Sequence, residues 1–259
     1  MTYLTPLILL SGFAVFASIL LAMEIGRRFG KRVQKQHPEE SASGTGSVEA
    51  AVFGLMGLLV AFTFSGAASR FDARRQLIVE ESNTIGTAYL RIDLLPAHSQ
   101  PSLRDEFRRY VDARIQTYRK IPDMSAVAAE TRKAETLQRE IWAQAVVGCK
   151  EINSPAVTTL VLGSINPMID ISTTRDEGAQ MHPPAVIYVM LVVLLLACSL
   201  LAGDAMAAGK ARNWVHILGF TVTLSLALLL IIDLEYPRVG WIRIDAWDRV
   251  LVALRASMS

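Results

Sequence analysis

The chain has 259 residues and a mass of 28.4 kDa, with 52% apolar residues, 19% charged residues and a mean hydropathy of +0.34. That is more apolar than an average soluble domain, and a net charge of +2 gives no footprint for a nucleic-acid partner. Cys149 and Cys198 lie 49 residues apart, one of them in an apolar run, which argues against a disulfide framework and a zinc cluster.

Four windows carry no Asp, Glu, Lys or Arg: 1–23, 50–69, 178–203 and 213–232. A bilayer core about 30 Å thick needs roughly 20 apolar helical residues. These windows predict spans at 4–23, 49–69, 184–203 and 213–233. Tyr3, Tyr188 and Trp214 sit near span ends, where amphipathic rings favour the interface. Arg27, Arg28, Lys31, Arg32 and Lys35 follow the first apolar run instead of preceding it, so that run reads as a retained anchor and not a cleaved signal. The polar link from His37 to Ser47, rich in Ser and Gly, reads as a flexible loop.

The 114 residues 70–183 have ordinary soluble composition and helical periodicity. The stripe Phe71, Leu77, Ile78, Ile85, Ala88, Tyr89, Ile92 and Leu95 meets no turn residue before Pro96, so span two is predicted to leave the bilayer as one helix of more than 40 residues. A second helix is predicted from Pro101 to Ile121, with Phe107, Tyr110, Val111, Ile115 and Tyr118 on one side. A third runs from Met124 to about Cys149, with Leu137, Ile141 and Ala145 apolar. Residues 152–169 are uncharged but too polar for an ordinary span, and read either as a helix packed in the soluble part or as a re-entrant or interfacial segment. No strand and no internal repeat is visible. The expected architecture is an all-α membrane protein: spans one and two in 1–69, a helical extramembrane domain inserted at 70–183, and spans three and four with a tail in 184–259.

The search for enzyme chemistry returns little. There is no Gly-rich phosphate loop, no paired His with an intervening Glu, and no nucleophile elbow. No catalytic residue, cofactor or metal is therefore expected. His37, His98, His182 and His216 are scattered one per region. His216, near the start of span four, reads as facing headgroups or as a proton-relay residue. Cys198 reads as an inert core residue.

Span two is more informative. Gly54, Gly57, Ala61, Ser65 and Ala68 fall three or four apart, leaving one side nearly bare of bulk and suited to close helix association. Leu58 and Phe62 project together beside that side. They fit ordinary bundle packing, or a hydrophobic constriction facing a pore. Beyond them come Arg70, Asp72, Arg74, Arg75, Glu80 and Glu81. These read as a solvated helix face, or as charged rings in a symmetric oligomer.

Two stretches resemble the bestrophins, pentameric ion channels with four spans and a helical domain between spans two and three. The first is Ala61-Phe62, a small-residue run, then Arg70-Phe71-Asp72-Ala73-Arg74. The second follows span four and carries Glu235, Pro237 and Gly240. More specifically, the chain is similar to a bacterial bestrophin-like family. The resemblance implies a homopentamer whose neck is lined by Leu58 and Phe62. Gly54 stands where a third bulky neck residue is expected, and Ala61 replaces the usual Gly. Val239 replaces an aromatic, and Trp241, Ile242, Arg243, Ile244 and Asp245 replace the acidic cluster of calcium-regulated members, so no calcium clasp is implied. Both anion- and cation-conducting bestrophins exist, and ion selectivity stays open.

Charge bias gives a separate reading of orientation. The two short links carry seven Lys and Arg, against four in the terminal tails. The positive-inside tendency then puts the links in the cytoplasm and the inserted domain outside. Bestrophins have the reverse, and orientation stays open. The leading expectation is an oligomeric channel in the bacterial inner membrane, multi-pass, with the lipid bilayer and copies of itself as partners. The rival is a non-conducting membrane scaffold or sensor whose helical domain binds a partner.

Overall fold

The computed structural model describes residues 4–36, 45–209 and 212–258, and the side chains from residue 10 onward except Thr45. Tyr3, Lys210 and residues 37–44 of the polar link lie outside the described residues. Among those described the regular structure is entirely helical. The helices are α1 Leu4–Gln36, α2 Thr45–Arg91, α3 Gln100–Arg119, α4 Met124–Ile152, α5 Pro155–Gln180, α6 Ala185–Ala205, α7 Trp214–Glu235 and α8 Arg249–Ser257. Short 3-10 turns follow α2 and α6 and precede α8.

Local chemistry sets the boundaries. Asp123 caps α4 by accepting from the backbone N–H groups of Ser125 and Ala126, both at 3.1 Å. Asn153 ends α4 in the left-handed region, at φ 51°, where Asn is tolerated. One residue later Ser154 caps α5, and Pro155 occupies its first position. Asn213 caps α7 through the His216 N–H.

Two compact units divide the chain, Met1–Arg70 with His182–Ile242 and Phe71–Met181 with Arg243–Ser259. The first unit holds α1, the start of α2, α6 and α7. These include four stretches long and apolar enough to cross a membrane. Ile19, Met23, Met56, Leu191, Leu195, Cys198 and Leu228 form its core, and Phe53 meets Phe220 edge-on at 6.1 Å. Outward-facing Phe13, Leu21, Val186, Val193, Leu226 and Leu230 give it an apolar exterior suited to lipid. α1 and α6 touch backbone to backbone. A Cβ on Gly26 would lie 2.0 Å from the Leu200 carbonyl oxygen, and one on Gly203 the same distance from that of Met23. Only the bare glycines allow that approach.

The second unit is built from the later part of α2 with α3, α4, α5 and α8. Its core joins Ile85, Ile92, Leu103, Phe107, Tyr110, Leu137, Ile141, Ile165 and Met168. Residues 152–169 therefore fall largely within α5, whose Val161, Ile165 and Met168 are buried in this core. The sequence division placed the whole tail with spans three and four. In the structure Arg243–Ser259 groups with the second unit. The reason is α8, whose Leu251 and following Met258 enter that core while Arg255 pairs with Asp112 at 3.0 Å.

Candidate functional site

The membrane-capable part of α2 is the least covered of the four apolar stretches, with 17% of its most apolar window buried against 22–28% for the others. Its buried side carries Met56, Thr63 and Ala67. On the opposite side Gly54, Gly57, Leu58, Ala61, Phe62 and Ser65 are exposed, and Ala68 is half-buried at the edge. Leu58 is 52% and Phe62 67% exposed, and nothing lies within 4 Å of a Cβ built on Gly54 or Gly57. The small residues and the two bulky ones thus share one uncovered flank within a single chain.

At the end of this stretch Arg70 donates from Nε to Glu235 Oε1 at 2.8 Å, and from Nη2 to the same oxygen. The two residues are 165 positions apart, and each belongs to one of the two segments singled out in the sequence. The Glu235 side chain is fully buried, and its other oxygen lies 3.3 Å from His182 Nδ1. The His182 ring stacks on Tyr236, with centroids 4.7 Å apart. Beside them, Asp233 accepts the backbone N–H groups of Trp241 and Ile242, each at 2.7 Å. Gly240 is required here, because a Cβ would lie 2.0 Å from Asp233 Oδ1. Pro237 is buried in the same turn.

The remaining motif residues go elsewhere. Arg74 donates to the Gly178 and Met181 carbonyl oxygens at the C-terminal end of α5, at 3.2 and 2.7 Å, where the helix dipole favours a cation. Asp72 pairs with Arg75 at 2.7 Å, and the Arg75 guanidinium sits 5.8 Å from the Phe71 ring and 4.1 Å from that of Trp247. The run from Arg70 to Glu81 is therefore not a uniformly solvated face. Arg74 and Glu81 turn inward, while Asp72 and Glu80 stay exposed.

Glu81 is the centre of a buried charge network that sequence reasoning missed. It is 0% exposed, accepts from Arg114 Nε at 2.5 Å, and also binds Arg175. Arg114 continues to Asp176 at 3.1 Å and Tyr118 Oη at 2.5 Å, and Arg175 to Asp248 at 2.9 Å. The Arg175 guanidinium lies 3.6 Å over the Tyr118 ring. Burial, reinforced by Glu81, holds the Tyr118 phenol well above its ordinary value. Burial pushes the neighbouring Tyr110 up to about 12. Burial and the nearby Glu140 also raise the Glu106 carboxyl. The signal was present but unread: Glu81 interrupts the Ile78–Ile85 stripe, and Arg114 falls on one face with Tyr110 and Tyr118.

A family model described as a bestrophin-like domain matches residues 8–246. The chain belongs to the bestrophin-like family. Two crystal structures of point variants of a bacterial bestrophin homologue from Klebsiella pneumoniae match it. One has a TM-score of 0.66 at 13% identity, covering 94% of this chain and 100% of the other. The second has a TM-score of 0.67 at 14% identity, covering 95% and 99%. A crystal structure described only as a membrane protein variant matches with a TM-score of 0.69 at 14% identity, covering 94% and 99%. At that identity the likeness establishes a common fold. No curated protein matches the chain. In this bestrophin-like chain the Arg70–Glu235 pair joins the two motif segments, and no three His, Cys, Asp or Glu side chains among the described residues group closely enough to hold a metal ion.

Proposed function

We propose that this bestrophin-like protein is an oligomeric ion channel whose conduction axis is lined by α2. The observation that carries the reading is the uncovered flank of α2, where Gly54, Gly57, Ala61 and Ser65 leave room for a neighbouring backbone and Leu58 and Phe62 stand exposed beside them. Closing such flanks around an axis buries the small residues between subunits. It also turns the bulky pair into an apolar ring. An ion entering that ring sheds water with no oxygen to replace it, so the ring resists passage until it widens. Gly54 leaves the neck one bulky residue short of the bestrophin pattern, giving a shorter constriction.

The bestrophin resemblance supports a homopentamer, with residues 70–183 as the extramembrane domain between spans two and three. The four apolar stretches support a multi-pass protein of the bacterial inner membrane. Replacing Phe62 with Ala is expected to increase ion leak through protein reconstituted in liposomes. Unchanged flux in an assembly of verified mass removes the constriction from the account. The rival scaffold reading draws on the short neck and predicts no flux from either protein.

A further inference from the structure

Within the first unit, the second half of α1, the end of α6 and the start of α7 line a pocket of about 320 Å³. Its polar wall is Glu24, Arg27, Arg28 and Arg212, flanked by Trp214 and the apolar Met23 and Ile217. Arg27 follows Gly26, the residue at which α1 meets the α6 backbone, so that close packing fixes where its stem leaves the helix. Arg27 is only 8% exposed, and its Nε is buried with no hydrogen-bond partner among the described residues. A guanidinium carries a permanent charge and five donors. Leaving that Nε–H buried without an acceptor is costly.

Glu24 does not satisfy it. That carboxylate accepts from Arg28 Nε at 2.8 Å and from Arg212 Nη2 at 3.0 Å. Three guanidiniums against one carboxylate leave the pocket positive. Arg28 and Arg212 remain reachable, with side chains 73% and 46% exposed. The Trp214 ring stands 5.8 Å from the Arg212 guanidinium at the first turn of an apolar helix, where an indole marks the headgroup level. The group that complements this wall is therefore an anion with several acceptor oxygens, attached to something apolar enough to lie along Met23 and Ile217.

We propose that this pocket binds the phosphate headgroup of an anionic phospholipid, with Arg27 as its buried ligand and Arg28 and Arg212 closing over it. Basic pockets between membrane helices recognise lipid phosphates in this way. Placement at the mouth of apolar helices favours a lipid over a free anion.

The test uses the full-length protein in neutral detergent, titrated separately with phosphatidylglycerol, phosphatidylcholine and inorganic phosphate. Retained lipid is read by native mass spectrometry, and binding by the shift in apparent melting temperature. Phosphatidylglycerol is expected to stay bound and raise the melting temperature, while the other two at equal concentration do neither. Arg27→Gln is expected to weaken phosphatidylglycerol binding about tenfold. Equal retention of the two lipids, or an unchanged Arg27→Gln, overturns the site. An equal shift with inorganic phosphate overturns the lipid assignment. Should Arg27→Gln fail to fold, Arg212→Gln and the comparison of the three ligands on the unmodified protein decide. Since binding and not flux is measured, the outcome is independent of the channel reading.

Discussion

Replacing Glu81 with Gln removes one charge from the centre of the buried network while keeping its volume. Arg114 and Arg175, 1% and 4% exposed, would then face each other without the carboxylate that separates them. Asp176 and Asp248 remain, but they are more exposed, Asp176 pairing with Arg114 and Asp248 with Arg175. Breaking a buried pair by removing one partner costs about 3–5 kcal/mol. For a unit of this size that is a fall of about 10–20 °C in melting temperature. The comparison variant is Arg255→Gln, which loses a half-exposed pair with Asp112. It should cost at most about 1 kcal/mol. Thermal unfolding of both variants in the same detergent measures the contrast. If Glu81→Gln melts no lower than Arg255→Gln, the network contributes nothing beyond ordinary surface pairing and the reasoning fails.

Two further outcomes follow from the packing and the titrations. Gly203→Ala drives a methyl into the Met23 carbonyl, so it should abolish folded protein, whereas Gly57→Ala, with open space around it, should leave the yield of folded protomer unchanged; gel filtration after expression distinguishes them. Tyr110 and Tyr118 are held protonated in the folded unit, while in the unfolded chain they ionise near about 10. The unfolded state then binds fewer protons above that pH, so stability is flat below pH about 10 and falls as pH rises toward 12. Phenolate absorbance from these two residues should appear only with unfolding; their titration near 10 in folded protein would contradict the burial argument.

The four membrane-capable stretches were legible because a bilayer imposes a length and an absence of charge that few other environments demand. α3 and α4 were legible because Phe107, Tyr110, Leu137 and Ile141 repeat at the helical period. What the residues from Arg70 to Glu81 do was not. Adjacent charges such as Glu80 and Glu81 point about 100° apart on a helix, so one enters the core and the other faces out. Alternation in sequence alone does not say which. The Arg70–Glu235 pair was legible only as two separate motif fragments, since no local pattern links positions 165 apart. His182 stood alone in the sequence because its partners Glu235 and Tyr236 lie more than 50 positions away. The destination of the tail depended on α8, a nine-residue helix too short for its periodicity to compete with the charged stretch before it.

The central claim is that copies of this chain assemble around an axis with the bare flank of α2 turned inward. Electron cryo-microscopy of the protein in lipid nanodiscs tests it most directly. The account predicts a closed ring of five identical subunits, with Leu58 and Phe62 of each pointing at a water-accessible centre. A monomeric or dimeric particle, or a ring in which Gly54, Ala61 and Ser65 face lipid, would contradict it.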